Sequence, residues 1–261
     1  MNAMGRIITI VSAVSFLSIQ AEITPYKTDS DTLQLWHLDQ TGKTYVNAVT
    51  GGIDLFNWGQ KGTDVSSFPG FSNAFLSNPG KKSNLQTAPD IKWKPGGSLR
   101  GVTGAFTWEM MIRPDLPIAK GVPQRLIQCA GDMHLSLTYS AESGYVWLTY
   151  WDVRLDKNIF SIRLENKAGH AYEAGQWFHV AITWDGAGSG KVYWTKLNDK
   201  YTGTANMIGT FSEIGIDRYQ SSRLAWSGVF NNGGISFEGA IDEIRISGVA
   251  RDASGFLSVS H

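Results

Sequence analysis

The residues best suited to ligand chemistry lie in one run, Tyr145-Val146-Trp147-Leu148-Thr149-Tyr150-Trp151. Successive side chains of an extended strand point to opposite faces. With Val146 and Leu148 turned to a core, Tyr145, Trp147 and Trp151 share the other face. A row of aromatic rings on a sheet face offers flat apolar platforms with polar edges, which suits the mixed apolar and hydroxyl faces of a sugar ring. Asp152 and Arg154 continue this strand into a polar loop and are placed to rim such a site. A covering loop or second layer would instead bury the same rings.

Other chemistries have thinner support. Glycoside hydrolysis with retention needs two carboxyl groups about 5–5.5 Å apart, and i, i+2 or i, i+4 spacing on one strand supplies that. The chain has no Glu-x-Asp-x-x-Glu run. Asp242 and Glu243 are adjacent, so a regular strand points them to opposite faces. Glu238 and Asp242 share a face if no bulge intervenes, and they are the one acid pair to consider. The five histidines, at 37, 134, 170, 179 and 261, show no metal-ligand spacing. Neither a nucleophile elbow nor a glycine-rich phosphate loop is present. The lone Cys129 sits in the apolar run Leu126-Ile127-Gln128-Cys129-Ala130, which reads as a small buried hydrophobe and excludes an intramolecular disulfide.

Strands must position these groups. Leu33–Leu38, Phe106–Ile112, His134–Tyr139 and Phe178–Trp184 alternate apolar and polar residues. Lys191–Thr195 follows a Gly/Ser turn and forms a hairpin with Phe178–Trp184. Residues 60–100 read as long loops with short strands. No stretch beyond the N-terminus carries strong helical periodicity, and a short helix or turn is expected only near 250–258. The fold class is therefore all-β, with antiparallel sheets packed face to face as a jelly-roll sandwich.

The 261 residues carry 23 Lys+Arg and 23 Asp+Glu, a balance that argues against a nucleic-acid or anionic-membrane partner. With 29 Gly, 10 Trp and only 18% charged residues, the composition suits short strands and tight turns. At the N-terminus Arg6 precedes the uncharged, mostly apolar run Ile7–Ile19, and small Ala21 follows. This is the pattern of a secretory signal over residues 1–21. The run is shorter than the ~20 residues that span a bilayer, and no later segment is apolar enough. The expected organisation is signal 1–21, a short polar leader 22–30 and one domain over 31–261, in a bacterial secreted, periplasmic or cell-surface protein.

Three further segments carry a family resemblance. Gly104-Ala105-Phe106-Thr107-Trp108-Glu109-Met110-Met111-Ile112-Arg113-Pro114, Ala174-Gly175-Gln176-Trp177-Phe178-His179-Val180-Ala181-Ile182-Thr183-Trp184-Asp185-Gly186 and Phe237-Glu238-Gly239-Ala240-Ile241-Asp242-Glu243-Ile244-Arg245-Ile246-Ser247 fall in the family's order. Together with Leu33–Asp39 they resemble the laminin-G-like domains of the concanavalin A-like lectin/glucanase superfamily. Met111 stands where that family usually has Trp. The resemblance implies a concanavalin A-like sandwich. It also implies a Ca²⁺ at the sandwich rim, with Asp242 of the closing motif and Asp39 of the opening strand as ligands. Ca²⁺ takes six to eight oxygens, so further loops must contribute. Physically, the motifs are fold determinants before they are anything else.

Three functional readings fit. A non-catalytic exported module binding a glycan or polysaccharide accounts for the fold, the signal and the aromatic row. A protein-adhesion or structural surface domain would need the row covered and an apolar patch exposed. A polysaccharide-cleaving enzyme has only Glu238 and Asp242 to call on.

Overall fold

The computed structural model describes residues 22–59, 63–77, 83–87, 104–115, 123–129, 131–140, 142–165, 169–198, 203–215, 224–228 and 235–260. Residues 1–21, read above as a secretory signal, lie outside them. Among the described residues the chain forms nineteen strands and a single 3-10 turn, Ala253–Gly255, where a short helix was expected. The first seven strands are β1 (Glu22–Thr24), β2 (Thr32–Trp36), β3 (Thr44–Tyr45), β4 (Leu55–Gly59), β5 (Thr63–Ser66), β6 (Asn73–Leu76) and β7 (Ser83–Gln86). Then come β8 (Phe106–Pro114), β9 (Gln124–Cys129), β10 (Met133–Ser140), β11 (Tyr145–Asp152), β12 (Lys157–Arg163) and β13 (Phe178–Trp184). The last six are β14 (Gly190–Lys196), β15 (Met207–Phe211), β16 (Leu224–Trp226), β17 (Ile235–Ser236), β18 (Gly239–Ser247) and β19 (Ser258–Ser260).

These strands build the jelly-roll sandwich that the alternation predicts. One sheet has nine strands in the order β12-β11-β10-β9-β16-β7-β4-β3, with β17 on β9. The other has eight, in the order β15-β14-β13-β8-β18-β6-β5, with β2 on β18. Among the described strands of the two sheets only the β17–β9 pairing is parallel. The expected hairpin is β13–β14, closed by Trp184 opposite Gly190. Its turn is tied by Asp185, whose Oδ1 accepts from the N–H groups of Ala187, Gly188 and Ser189 at 2.8–2.9 Å. Gly186 sits there at φ +80°, where a Cβ would meet the Ala105 nitrogen at 2.9 Å.

The inner faces interdigitate around large aromatics. Trp36 of β2 meets Trp226 of β16 at 5.1 Å between centroids, and Trp108 of β8 stacks on Tyr150 of β11 at 6.3 Å. Both contacts bridge the sheets, and each buried ring contributes roughly 1.5–3 kcal/mol of apolar burial. Cys129 is buried in this core, with its thiol 3.5 Å from the Asp132 carboxylate.

The eight-stranded sheet is buried on its outer face as well. Ile23, Tyr26 and Leu257 close over Leu35, Ala74, Met111, Trp177 and Ala240. Residues 22–30 thus differ from a detached leader: Glu22–Thr24 pairs with β19, and Ile23 and Tyr26 anchor the segment. Two apolar side chains suffice to dock a stretch whose average is polar.

Under this cover lies a buried ion pair. Arg245 Nε donates to Glu109 Oε2 at 2.7 Å, and Arg245 Nη2 donates to the Gly255 carbonyl at 2.7 Å. The guanidinium lies 4.1 Å from the Tyr26 ring centroid. The pair exists because of a bulge. Asp242 faces Met111 and Arg245 faces Glu109, so two residues of β18, Glu243 and Ile244, stand against one of β8, Met110. Glu243 absorbs the extra residue at φ 47°, an uncommon conformation for a non-glycine. The bulge also overturns the simple alternation at Asp242-Glu243: both side chains are buried, and burial raises both carboxyls, with Glu243 and Asp39 adding to the rise at Asp242 and Asp39 adding to it at Glu243.

Glu109→Ala should lower unfolding free energy by about 3–5 kcal/mol, because it strands Arg245 under the cover. Glu213→Ala, which breaks an exposed pair with Lys157, should cost no more than about 1 kcal/mol. Urea unfolding of both variants checks the contrast, and equal losses would mean the buried pair is not the anchor described.

Candidate functional site

The outer face of the nine-stranded sheet is the place to assemble a site. Strand β11 alternates as its sequence predicts. Val146, Leu148 and Tyr150 are buried, whereas Tyr145 is exposed and Trp147 and Trp151 are half-buried. Cross-strand partners fix what surrounds the rings. Trp147 lies between Thr138 of β10 and Arg163 of β12, and Trp151 between His134 and Asn158. The Arg163 guanidinium sits 4.5 Å from the Tyr145 centroid, which steadies that ring. The Trp147 Nε1–H donates to Ser143 Oγ at 3.2 Å, and the hydroxyls of Thr149 and Ser161 are 3.1 Å apart between the rings. The result is two indoles and a phenol held in register, with hydroxyls and a cation at their edges.

Inward from this row the face turns polar. Arg125 Nη1 donates to Ser136 Oγ at 2.7 Å, and Arg125 and His134 are half-buried beside it. Burial, reinforced by the Arg125 charge, pushes the His134 imidazole down to about 4. Its Nδ1 is buried and has no hydrogen-bond partner among the described residues. Gln128 and Gln86 continue this row, with Ala225 between them, and all three are buried. Phe56 and the exposed Trp58 follow on β4, so aromatic residues flank the polar centre on both sides. Sequence reading missed Arg125, His134 and Ser136 as a group. Alternation shows which face each takes, but only the strand order, with a register shift between Leu135 and Ser136, brings them together.

Asp152 and Arg154 take different places from the row. Asp152 has the parity of Tyr150 and is buried. Its carboxylate accepts from the N–H groups of Arg154, Leu155 and Gly215 at 2.8–3.0 Å, which ties the turn after β11. Arg154 Nε donates to the buried Asp132 Oδ1 at 2.6 Å. Both side chains thus brace the end of the strand that carries the rings.

Asp242 and Asp39 do lie near one another, on the other sheet. Burial is the main reason that the Asp242 carboxyl is raised well above the ordinary range; Glu243 and Asp39 raise it further. Asp242 accepts from the Ser67 hydroxyl and the Glu243 N–H, and Asp39 Oδ1 accepts from the Asn73 N–H at 3.3 Å. Among the described residues no three His, Cys, Asp or Glu side chains converge as a metal-ligand set. Asp242, Asp39 and the Ser67 hydroxyl supply only part of the six to eight oxygens that Ca²⁺ takes, so further groups would have to complete such a site. Glu238 stands before β18, its N–H donating to Gln124 Oε1 at 3.2 Å.

Among solved structures, domain 4 of AbnA, a GH43 extracellular arabinanase from Geobacillus stearothermophilus in complex with arabinotriose, is similar at 16% identity and a TM-score of 0.56 over 90% of this chain and 97% of that one. The binding domain of botulinum neurotoxin DC in complex with SialylT is similar at 13% identity and 0.57, over 87% of this chain and 50% of that one. The enzymatically active domain of bacteriophage CBA120 tailspike protein 2 follows at 18% and 0.54, over 77% of this chain and 29% of that one. At such identities the likeness is one of fold. No curated protein matches the chain in sequence. The family model for the concanavalin A-like lectin/glucanases superfamily, of laminin G type, matches residues 85–254. With that span matched and the sandwich built as described, the chain belongs to the laminin-G-type branch of the concanavalin A-like lectin/glucanase superfamily.

Proposed function

We propose that this protein is a non-catalytic recognition module that holds a glycan chain on the outer face of β10, β11 and β12. The observation that carries the reading is the register of Tyr145, Trp147 and Trp151 on one accessible face, with hydroxyls and Arg163 between and beside them. Each ring presents an apolar surface to the C–H face of a sugar, while Thr138, Ser161 and Arg163 reach its hydroxyls. Two of the similar structures are complexes with arabinotriose and SialylT, which lends support to a sugar as the ligand class.

The module acts outside the cytoplasm, exported by residues 1–21. Among the described residues no helix is long and apolar enough to cross a membrane. Calcium held by Asp242 and Asp39 is a separate proposal, and the binding assay addresses it by comparing added Ca²⁺ with a chelator.

A glycan array probed with the full chain tests the reading. Binding should fall at least roughly tenfold, about 1.4 kcal/mol, in Trp147→Ala/Trp151→Ala. Asp152→Asn should leave specificity unchanged and lower stability, since that carboxylate ties the turn after β11. No binding by the wild-type chain, with or without Ca²⁺, would sink the proposal and favour a protein partner.

A pH prediction follows from His134. Its folded-state imidazole is depressed relative to the ordinary 6.5, so the folded chain favours the neutral ring. Stability from this group is therefore full above pH ~6.5 and is lost as pH falls toward about 4. His134→Asn should flatten the unfolding-midpoint profile across that window, and an NMR titration of the ring near 6.5 would contradict the burial argument.

A further inference from the structure

The two sheets part at one side of the sandwich, between the β12 and β15 edges, and leave a cleft of about 220 Å³. That is smaller than the roughly 300–1,000 Å³ of drug-sized pockets and equals the space of about seven waters. Its apolar wall is made by Ile162, Leu164, Ile208 and Trp194. Trp194 is fully buried and stacked on Phe178 at 4.5 Å, yet its Nε1–H has no hydrogen-bond partner among the described residues. That N–H is itself out of reach of solvent, so Trp194 serves the cleft as part of its wall and as a reporter of what fills it.

The polar wall is already oriented. His170 Nδ1 accepts from the Lys196 N–H at 3.0 Å, which places the ring proton on Nε2 and makes that nitrogen a donor. Burial and the Lys196 charge both favour the neutral ring. Asn206 donates from its backbone to Thr195 Oγ1 at 2.9 Å and from Nδ2 to the Trp194 carbonyl at 3.1 Å. Its amide is thereby fixed, with Oδ1 left as an acceptor. Gly209 lets β15 close in on β12, since a Cβ there would meet Ile162 Cδ1 at 2.5 Å.

One residue belongs to both places. Arg163 stands opposite Trp147 on the outer face and also lines the cleft. Arg163 therefore links the outer face to the opening at the β12 edge.

We infer that this cleft is an end subsite for the same glycan, taking one terminal sugar ring: an apolar ring face against Ile162 and Ile208, a ring or hydroxyl oxygen accepting from His170 Nε2, and a hydroxyl donating to Asn206 Oδ1. The inference rests on the glycan reading above and deepens it.

The test is NMR of the full chain labelled with ¹⁵N-tryptophan, titrated with arabinose, galactose and N-acetylneuraminic acid to about 50 mM, well above a millimolar Kd. The Trp194 indole peak is identified by its loss in Trp194→Phe, or by through-bond assignment should that variant not fold. This peak should move with at least one sugar. Asn206→Ala should weaken the response roughly tenfold, and Trp147→Ala/Trp151→Ala should leave it within about twofold. A Trp194 peak that stays still with all three sugars overturns the inference. So does a response that survives Asn206→Ala and vanishes with the two outer tryptophans. Array binding lost in Trp147→Ala/Trp151→Ala bears on the outer face alone, so the two proposals fail separately.

Discussion

The structure hangs on two charges that have no water. Glu109 and Arg245 are buried on the outer face of the eight-stranded sheet, and an ion pair in that position must stay covered and paired. Tyr26 supplies the cover from one side and the Phe256–Leu257 turn from the other, with Gly255 accepting the spare guanidinium donor. Chain segments that look peripheral are thereby conscripted into the domain. The same requirement makes the sandwich asymmetric. One sheet has both faces packed against protein, whereas the outer face of the other carries the half-buried and exposed aromatic row.

That pairing depends on a local irregularity. Asp242 and Arg245 are three residues apart, and a regular strand would send them to opposite faces. The bulge at Glu243 reconciles them and keeps Ile241 and Ile244 both in the core. Its strain is held by two hydrogen bonds to the Glu243 carboxylate, from the Tyr26 N–H at 2.8 Å and to His37 Nδ1 at 2.7 Å. Leu38, next to His37, is likewise left-handed at φ 56°. Two uncommon backbone residues side by side mark where the opening strand and the closing strand were fitted to one another.

How far the sequence foresees this depends on which physical signal each part emits. The alternation of β8, β11 and β13 is a strong signal, and it yields the sandwich, the hairpin and the face taken by Tyr145, Trp147 and Trp151. The bulge emits none, because Glu243 is neither glycine nor asparagine. Ile23 and Tyr26 are two anchors in a polar stretch, too sparse for any period to detect. Asp152 misleads by adjacency: it follows Trp151 in the chain, and for that reason it points the other way. Arg125, His134 and Ser136 need the neighbour order of strands, which no local pattern contains. The cleft needs still more, the distance at which two sheet edges stop.

The ribbon formed by β1 and β19 has a mechanical side. Glu22 pairs with Ser260, so the outermost pair joins the first and the last of the described strands. A pull on both ends loads these pairs one after another, as a zipper is opened, rather than all together. Three residue pairs opened in turn resist less than a sheet sheared all at once, so the ribbon gives before either sheet does, and the aromatic face on the nine-stranded sheet keeps its shape.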